Sequence, residues 1–296
     1  MTRRKDTFRR SGNPIQSLLL FLSGLLAQKS LLYFLMINFL LKKTFFDLWD
    51  NAFKIILINL GFLASFSFSV FIPPLLTEIP VLRTSAMIIG ILWCTVYLSA
   101  AALSLKSISD HGSFGFTDFF QNLGAVWPAG LALGALFFLG FVLLAMVIPF
   151  YLGMGSMIGL LLGAVVFWTL IVAVLALQFF LAVRARLDFK IIKVIKKCFL
   201  LFFDNPAFCL FSLFHNLFVL ILSILLAFLF PGPAGLLLFL DEGLRLRLMK
   251  YDWLEAKTNE DGKIYKNKIP WDDLLAEERE RTGNRSFKNL LFPWKD

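Results

Sequence analysis

Apolar and polar residues fall into separate blocks along this chain. Uninterrupted apolar runs occupy Ile55 to Leu76, Ala86 to Leu105, Val126 to Phe150, Met157 to Val183 and Ala207 to Phe230, and none contains a charged residue. An α-helix rises about 1.5 Å per residue, so about 20 apolar residues cross the hydrocarbon of a bilayer. The pattern therefore predicts five transmembrane helices. Two polar connections interrupt them, SISDHGSFGFTDFFQNLGA and RARLDFKIIKVIKKCFLLFFDNP. In the second, Ile191, Ile192, Val194 and Ile195 are interleaved with Lys190, Lys193, Lys196 and Lys197. That spacing predicts an amphipathic helix in the headgroup layer at the cytoplasmic interface.

The last run leads into FLFPGPAGLLLFLDEGLRLRLMK. Proline and glycine at 231 to 233 end one helix and permit a reversal. The following arm, Ala234 to Met249, would be about 24 Å long as a helix and carries Asp241, Glu242, Arg245 and Arg247 in its second half. Whether it returns through the membrane is decided by charge. With six arms, every one of the 29 Lys and Arg except Arg83 lies on one side, whereas with five all those beyond residue 240 join Arg83. The positive-inside rule favours six. A charge at the bilayer centre costs roughly 2.5 to 3.5 kcal/mol on insertion scales, which places the charged half of this arm at the cytoplasmic interface. Asp241 and Arg245, four residues apart, are expected to pair on one helix face.

LWDN at 48–51, FFQN at 119–122 and FFDN at 202–205 each precede an apolar run. They suggest three units of an elbow followed by a helical hairpin; the plainer reading is that such residues favour helix starts and interfaces. The domain organisation expected is a basic leader with an interfacial or extra membrane segment at 1–43, a helical membrane domain at 44–250, and a cytoplasmic tail at 251–296. The leader resembles a secretory signal but lacks a small-residue cleavage site. In the tail, Asn259 to Gly262 reads as a turn, WDDLLAEERER from Trp271 as a short helix, and LLFPWKD as an apolar end that docks on the protein's own face or on a partner.

Composition agrees: 58% of residues are hydrophobic, 17% are charged and the mean hydropathy is +0.77. The net charge of +9 then serves orientation rather than nucleic-acid binding, because the aromatics sit inside apolar runs. Cys94, Cys198 and Cys209 form no CxxC pair, so neither a metal site nor a disulfide framework is expected. The GxxxxGK[ST], HExxH, GxSxG and GxGxxG signatures are absent, and there are two histidines. No catalytic residue, cofactor or enzymatic activity is assigned.

Two groups of residues stand out within the spans. Gly155, Gly159 and Gly163, with Gly130 and Gly134, have the small-residue spacing that lets helices approach closely. Contact within the hairpin of the third and fourth spans is expected, a homo-oligomer contact being the alternative. His215, Asn216 and Gln178 are candidates to line a ligand path, since polar groups at depth are functional by default. The competing reading is a neutral histidine bonded to a neighbouring helix. Pro73, Pro74 and Glu78 either line an entrance or end the first span.

The passages FFDLWDNAFKIILINLGFLASF, GFTDFFQNLGAVWPAGLALGALF and LALQFFLAV to LFFDNPAFCLF resemble the YesL-type family of bacterial multi-pass membrane proteins, over roughly residues 44 to 250. The leader and tail lie outside the resemblance, and IPPLLTEIP blurs the usual end of the first hairpin. It implies a bacterial cytoplasmic-membrane protein whose relatives are often encoded beside carbohydrate import systems, and it supplies no catalytic residues. The expectation is an all-α polytopic bundle of about six transmembrane helices, acting as an accessory or assembly subunit of a transport system. Its neighbours would be the lipid bilayer, a protein partner met through the cytoplasmic elbows and tail, or a second copy. A small-solute transporter or channel is the alternative.

Overall fold

The computed structural model describes residues 34–76, 78–261, 269–283 and 285, and the regular structure in them is helical throughout. Most of the basic leader and the closing LLFPWKD lie outside the described residues. The chain divides into two units, Lys43–Lys266 and Met1–Lys42 with Asn267–Asp296.

Five stretches of the larger unit are long and apolar enough to cross a membrane: Ala52–Leu75, Pro80–Ser109, Thr117–Gly153, Met157–Arg186 and Pro206–Leu225. They coincide with the five apolar runs of the sequence. Helix α1 (34–50) breaks at Asn51 and leads into α2 (Ala52–Leu75), which ends as the Leu76 N–H turns back on the Pro73 carbonyl at 3.1 Å. α3 (Pro80–Ser109) starts on proline, whose missing N–H costs nothing in the first turn. α4 (Phe116–Val142) continues through a π-helical turn at Leu143–Val147 into α5 (Ile148–Gly153). Pro149 explains that turn, because its ring leaves no room for, and no donor to, the carbonyl four residues earlier. Gly155, at φ +61°, makes the reversal. Ser156 then caps α6 (Met157–Leu177), its hydroxyl accepting from the Gly159 N–H at 3.1 Å.

α7 (Phe180–Arg186) and α8 (Ile191–Asp204) follow, then α9 (Pro206–Leu225) and α10 (Gly232–Asp261). Three details differ from the sequence reading. α9 stops at Leu225, short of Phe230, because the chain already turns at Ala227 and Phe228, both at positive φ (50° and 58°), with the Phe228 N–H on the Ser223 carbonyl at 2.6 Å. α10 runs unbroken past residue 250, so Asn259 to Asp261 are helical rather than a turn. The FFQN segment is no elbow. Its helix starts earlier, where the Gly115 N–H donates to Asp118 at 2.8 Å, and Asn122 is held by the Ser104 hydroxyl of α3 at 3.1 Å.

α3 is the hub of the bundle, packed against α2, α4, α7 and α10. Its Ala100 and Ala101 are fully buried beside Leu105, Ile108, Leu238 of α10 and Ile55 of α2. Tyr97 completes this core, donating to the Ile58 carbonyl at 2.8 Å. The outer surface is greasy: Phe68 and Phe71 on α2, Phe138 and Phe141 on α4, and Leu160, Leu161 and Trp168 on α6 are all exposed. Such a belt is stable in lipid, not in water.

In the smaller unit, Lys42 donates to the Gly283 carbonyl at 3.3 Å, and Trp271 and Leu275 are buried. The single helix expected from Trp271 is two, α11 (Trp271–Leu274) and α12 (Ala276–Thr282), with Leu275 between.

Candidate functional site

The charges on α10 are the least ordinary feature of the bundle. Asp241 and Glu242 are almost completely buried, at 2% and 1% exposure, and ions at such depth persist only when paired and hydrogen-bonded. Arg186 of α7 reaches Asp241 with Nε–Oδ1 2.8 Å and Nη2–Oδ2 2.5 Å, Asp110 at 2.9 Å and the Ser109 hydroxyl at 2.8 Å. Glu242 accepts from Thr44 and lies 3.5 Å from Lys43 of α1, whose ammonium also meets Asp47 and, at 3.3 Å, the Ser109 carbonyl. Arg245 donates to that same carbonyl and sits 3.6 Å from Asp110. The pair expected between Asp241 and Arg245 is therefore replaced: Asp241 belongs to Arg186, and Arg245 reaches across to the end of α3. Four helices, α1, α3, α7 and α10, are tied at one end by this knot.

The other end of α10 is tied by an amide. Asn59, fully buried on α2, donates to the carbonyls of Leu229 and Pro231 at 3.0 and 2.8 Å and accepts from the Ala234 N–H at 3.0 Å. It thereby satisfies backbone groups that the Pro-Gly-Pro reversal leaves open. Gly232, at φ +60°, packs so close to this amide that no side chain would fit. Back at the first end, Asn205 donates to the Tyr251 hydroxyl at 2.6 Å and Tyr251 donates to Asp204 at 2.5 Å. α10 thus passes the start of α9 at Tyr251 and continues to Asp261, and the two helices form an out-and-back hairpin.

This third elbow is electrostatically tuned. Burial works against the Asp204 carboxylate, but hydrogen bonds from Tyr251 and Lys250 outweigh it and hold the pKa below the usual carboxylate range. Burial, reinforced by Asp204, pushes the Tyr251 phenol upward. In the preceding loop, the Lys190 N–H at 3.1 Å and then Lys197 hold the Asp188 carboxyl down.

α8 has three faces. Val194, Cys198 and Leu201 are buried; Ile192, Leu200 and Phe203 are exposed and apolar; Lys190, Lys193 and Lys196 are exposed and charged, while Lys197 bonds the Leu187 carbonyl at 3.2 Å. This is the arrangement of a helix at a lipid–water boundary. Burial, aided by Cys209, pushes the Cys198 thiol up to about 12, so it is no nucleophile at neutral pH. Cys94, Cys198 and Cys209 are free thiols, and among the described residues no group of His, Cys, Asp or Glu is gathered as a metal site.

The glycines divide between partners. Gly130 and Gly134 lie against Val96 and Leu92 of α3, so these two serve the second and third spans rather than the expected third and fourth. The reason is that α4 leans on α3 along its first half. Gly159 and Gly163 do face Tyr151 and Leu152 of α5, within their hairpin, while a side chain on Gly155 would meet nothing within 4 Å. Of the candidate ligand-path residues, Gln178 donates to the Leu175 and Cys209 carbonyls, each at 2.8 Å. His215 stacks on Phe239 of α10 with ring centroids 3.7 Å apart, and Asn216 follows it. Sequence reading missed the clamp of Asn59 and the roles of Lys43, Thr44 and Arg186, since each acts on a residue far away in the chain.

Fold and surface together define an all-helical protein of the multi-pass membrane class. Comparison with protein-family models, with curated proteins and with solved structures gives no match for this chain.

Proposed function

We propose that this is a bacterial cytoplasmic-membrane protein of the YesL type, built as six membrane arms with both termini in the cytoplasm, and that it acts as an accessory or assembly subunit of a transport system. The observation that carries this reading is the ionic knot. It joins α1, α3, α7 and α10 at a single end of the bundle, the end that also bears the lysines of α8 and the elbow at Asp204. The knot holds that end rigid, and the exposed Lys190, Lys193 and Lys196 give it a basic surface that a partner can meet. Between α3, α4 and α7 the bundle is closely packed: the pocket lined by Ser99, Val126, Ala129 and Arg184 among others holds about 10 Å³, room for one water at most.

The test is purification in mild detergent, with the co-purifying proteins identified by mass spectrometry. A stoichiometric partner should accompany the full chain and be lost when the chain is cut after Asp261 or when Lys193, Lys196 and Lys197 are reversed to Glu. A lone, monodisperse protein that retains no partner would overturn the reading. The competing proposal, a small-solute transporter, rests on one specific observation, the buried and incompletely satisfied polar atoms on α9.

A further inference from the structure

α9 carries buried polar groups that the described residues do not fully satisfy. Ser212, His215 and Asn216 stand at i, i+3 and i+4 and so share one side of the helix. Ser212 is fully buried, and its Oγ is buried with no hydrogen-bond partner among the described residues; His215 Nδ1 and Asn216 Oδ1 are buried too, and these two neighbouring side chains interact with each other without reaching good hydrogen-bond geometry. Gln178 Oε1 is in the same condition as Ser212 Oγ. The Gln178 amide nitrogen, 2.8 Å from the Cys209 carbonyl, anchors this residue beside α9 about one turn from Ser212. The imidazole stacks on Phe239 with ring centroids 3.7 Å apart, and the Phe211 ring lies 6.2 Å away on the same helix.

Buried polar groups in native proteins are hydrogen-bonded, and in a membrane interior there is no bulk water to do it. Ser212 Oγ and Gln178 Oε1, beside the weakly paired His215 and Asn216, leave hydrogen-bonding capacity unused among the described residues. The two amide oxygens can only accept, while the hydroxyl and the imidazole can either accept or donate. We propose that Gln178, Ser212, His215 and Asn216 form a hydrated polar site within the bundle that takes a small solute bearing hydrogen-bond donors, such as a protonated amine or a hydroxyl compound. The site goes beyond the accessory-subunit reading and stands without it.

The test is thiol accessibility in the full-length detergent-solubilised protein, with Cys94, Cys198 and Cys209 replaced by Ala. Ser212→Cys and Asn216→Cys are compared with Phe214→Cys and Leu217→Cys, whose native side chains point outward on the same helix at 62% and 51% exposure. Two methanethiosulfonate reagents are used: the ethylammonium form, which carries donors, and the ethylsulfonate form, which carries only acceptors. The site predicts modification by the ammonium reagent at least ten times faster at 212 and 216 than at 214 and 217. It also predicts an ammonium-to-sulfonate rate ratio at least tenfold above that of Asp252→Cys, an exposed control. Equally slow reaction at all four helix positions would show a dry site and overturn the proposal. So would an unchanged reagent ratio, or a disulfide-linked dimer through Asn216→Cys, which would mean that a second copy covers the face. Ser212→Cys exchanges a single atom, so the test survives if Asn216→Cys fails to elute as a monodisperse species.

Discussion

Arg186 of α7 and Asp241 of α10, 55 positions apart in the chain, meet through two parallel hydrogen bonds of 2.8 and 2.5 Å. Their side chains are 8% and 3% exposed, so neither charge can be rehydrated in place if the other is removed. Loss of one partner from a buried pair costs about 3 to 5 kcal/mol, whereas replacing both with apolar groups of similar size is often tolerated. Asp241→Ala should therefore lower the thermal midpoint in detergent steeply. The double variant Arg186→Met with Asp241→Leu should recover part of the loss. Additive losses in the double-mutant cycle would show that the pair is not a unit.

The Asn59 clamp gives a second expectation. Three hydrogen bonds to the reversal depend on one amide, and each buried bond contributes about 1 kcal/mol net, more when its partner is left unpaired. Asn59→Leu should cost about 3 kcal/mol or more. Asn59→Asp, nearly the same shape, should also destabilise, because a carboxylate would face the Leu229 and Pro231 carbonyls without donors. Denaturation midpoints equal to wild type for the aspartate variant would mean that shape, not hydrogen bonding, holds the turn.

Two glycines of α4 should respond with opposite sign. A methyl group on Gly130 would run into the Val96 backbone, while one on Gly124 would meet nothing within 4 Å. Gly130→Ala should separate α3 from α4 at a cost of about 1 to 3 kcal/mol. Gly124→Ala should be neutral or gain up to about 1 kcal/mol from helix propensity. Unfolding midpoints of the two variants, measured side by side, decide it.

The elbow between Asp204 and Tyr251 predicts a pH window. Asp204 has a lowered pKa in the folded protein, so its contribution is present above the ordinary carboxylate pKa of about 4 and is lost as pH falls through the lowered value. Tyr251 has a raised pKa, so its contribution is present below about pH 10 and is lost as pH rises through the raised value. The stability difference between wild type and Tyr251→Phe should be greatest near neutrality and shrink at both extremes. A difference independent of pH would detach the hydroxyl from Asp204.

How much of this was legible beforehand depends on the distance over which each residue acts. The apolar runs are local, and all five reappear as helices. The Lys face of α8 is likewise a property of one helix. The partner of Asp241 is not: helical spacing pointed to Arg245, but a buried carboxylate takes the cation that the tertiary fold delivers, here from α7. Gly130 misled for a similar reason, because a small-residue stripe shows that some helix approaches and not which one. Asn122 shared its pattern with Asn51 and Asn205, yet it sits inside α4 because Gly115 and Asp118 start that helix earlier. His215, Asn216 and Gln178 were visible as polar residues in apolar runs. Ser212 was not, since serine inside a span ordinarily bonds its own helix.

The central claim is that α10 returns to the side from which α9 departed. Single cysteines at Lys190, Asp252 and Glu78, placed in the chain freed of its native thiols, can be labelled with a membrane-impermeant maleimide in intact cells and in inverted vesicles. Lys190→Cys and Asp252→Cys should react together in inverted vesicles only, and Glu78→Cys in intact cells only. Labelling of Asp252→Cys from the same side as Glu78→Cys would contradict the account, since the sixth arm would then have stayed outside.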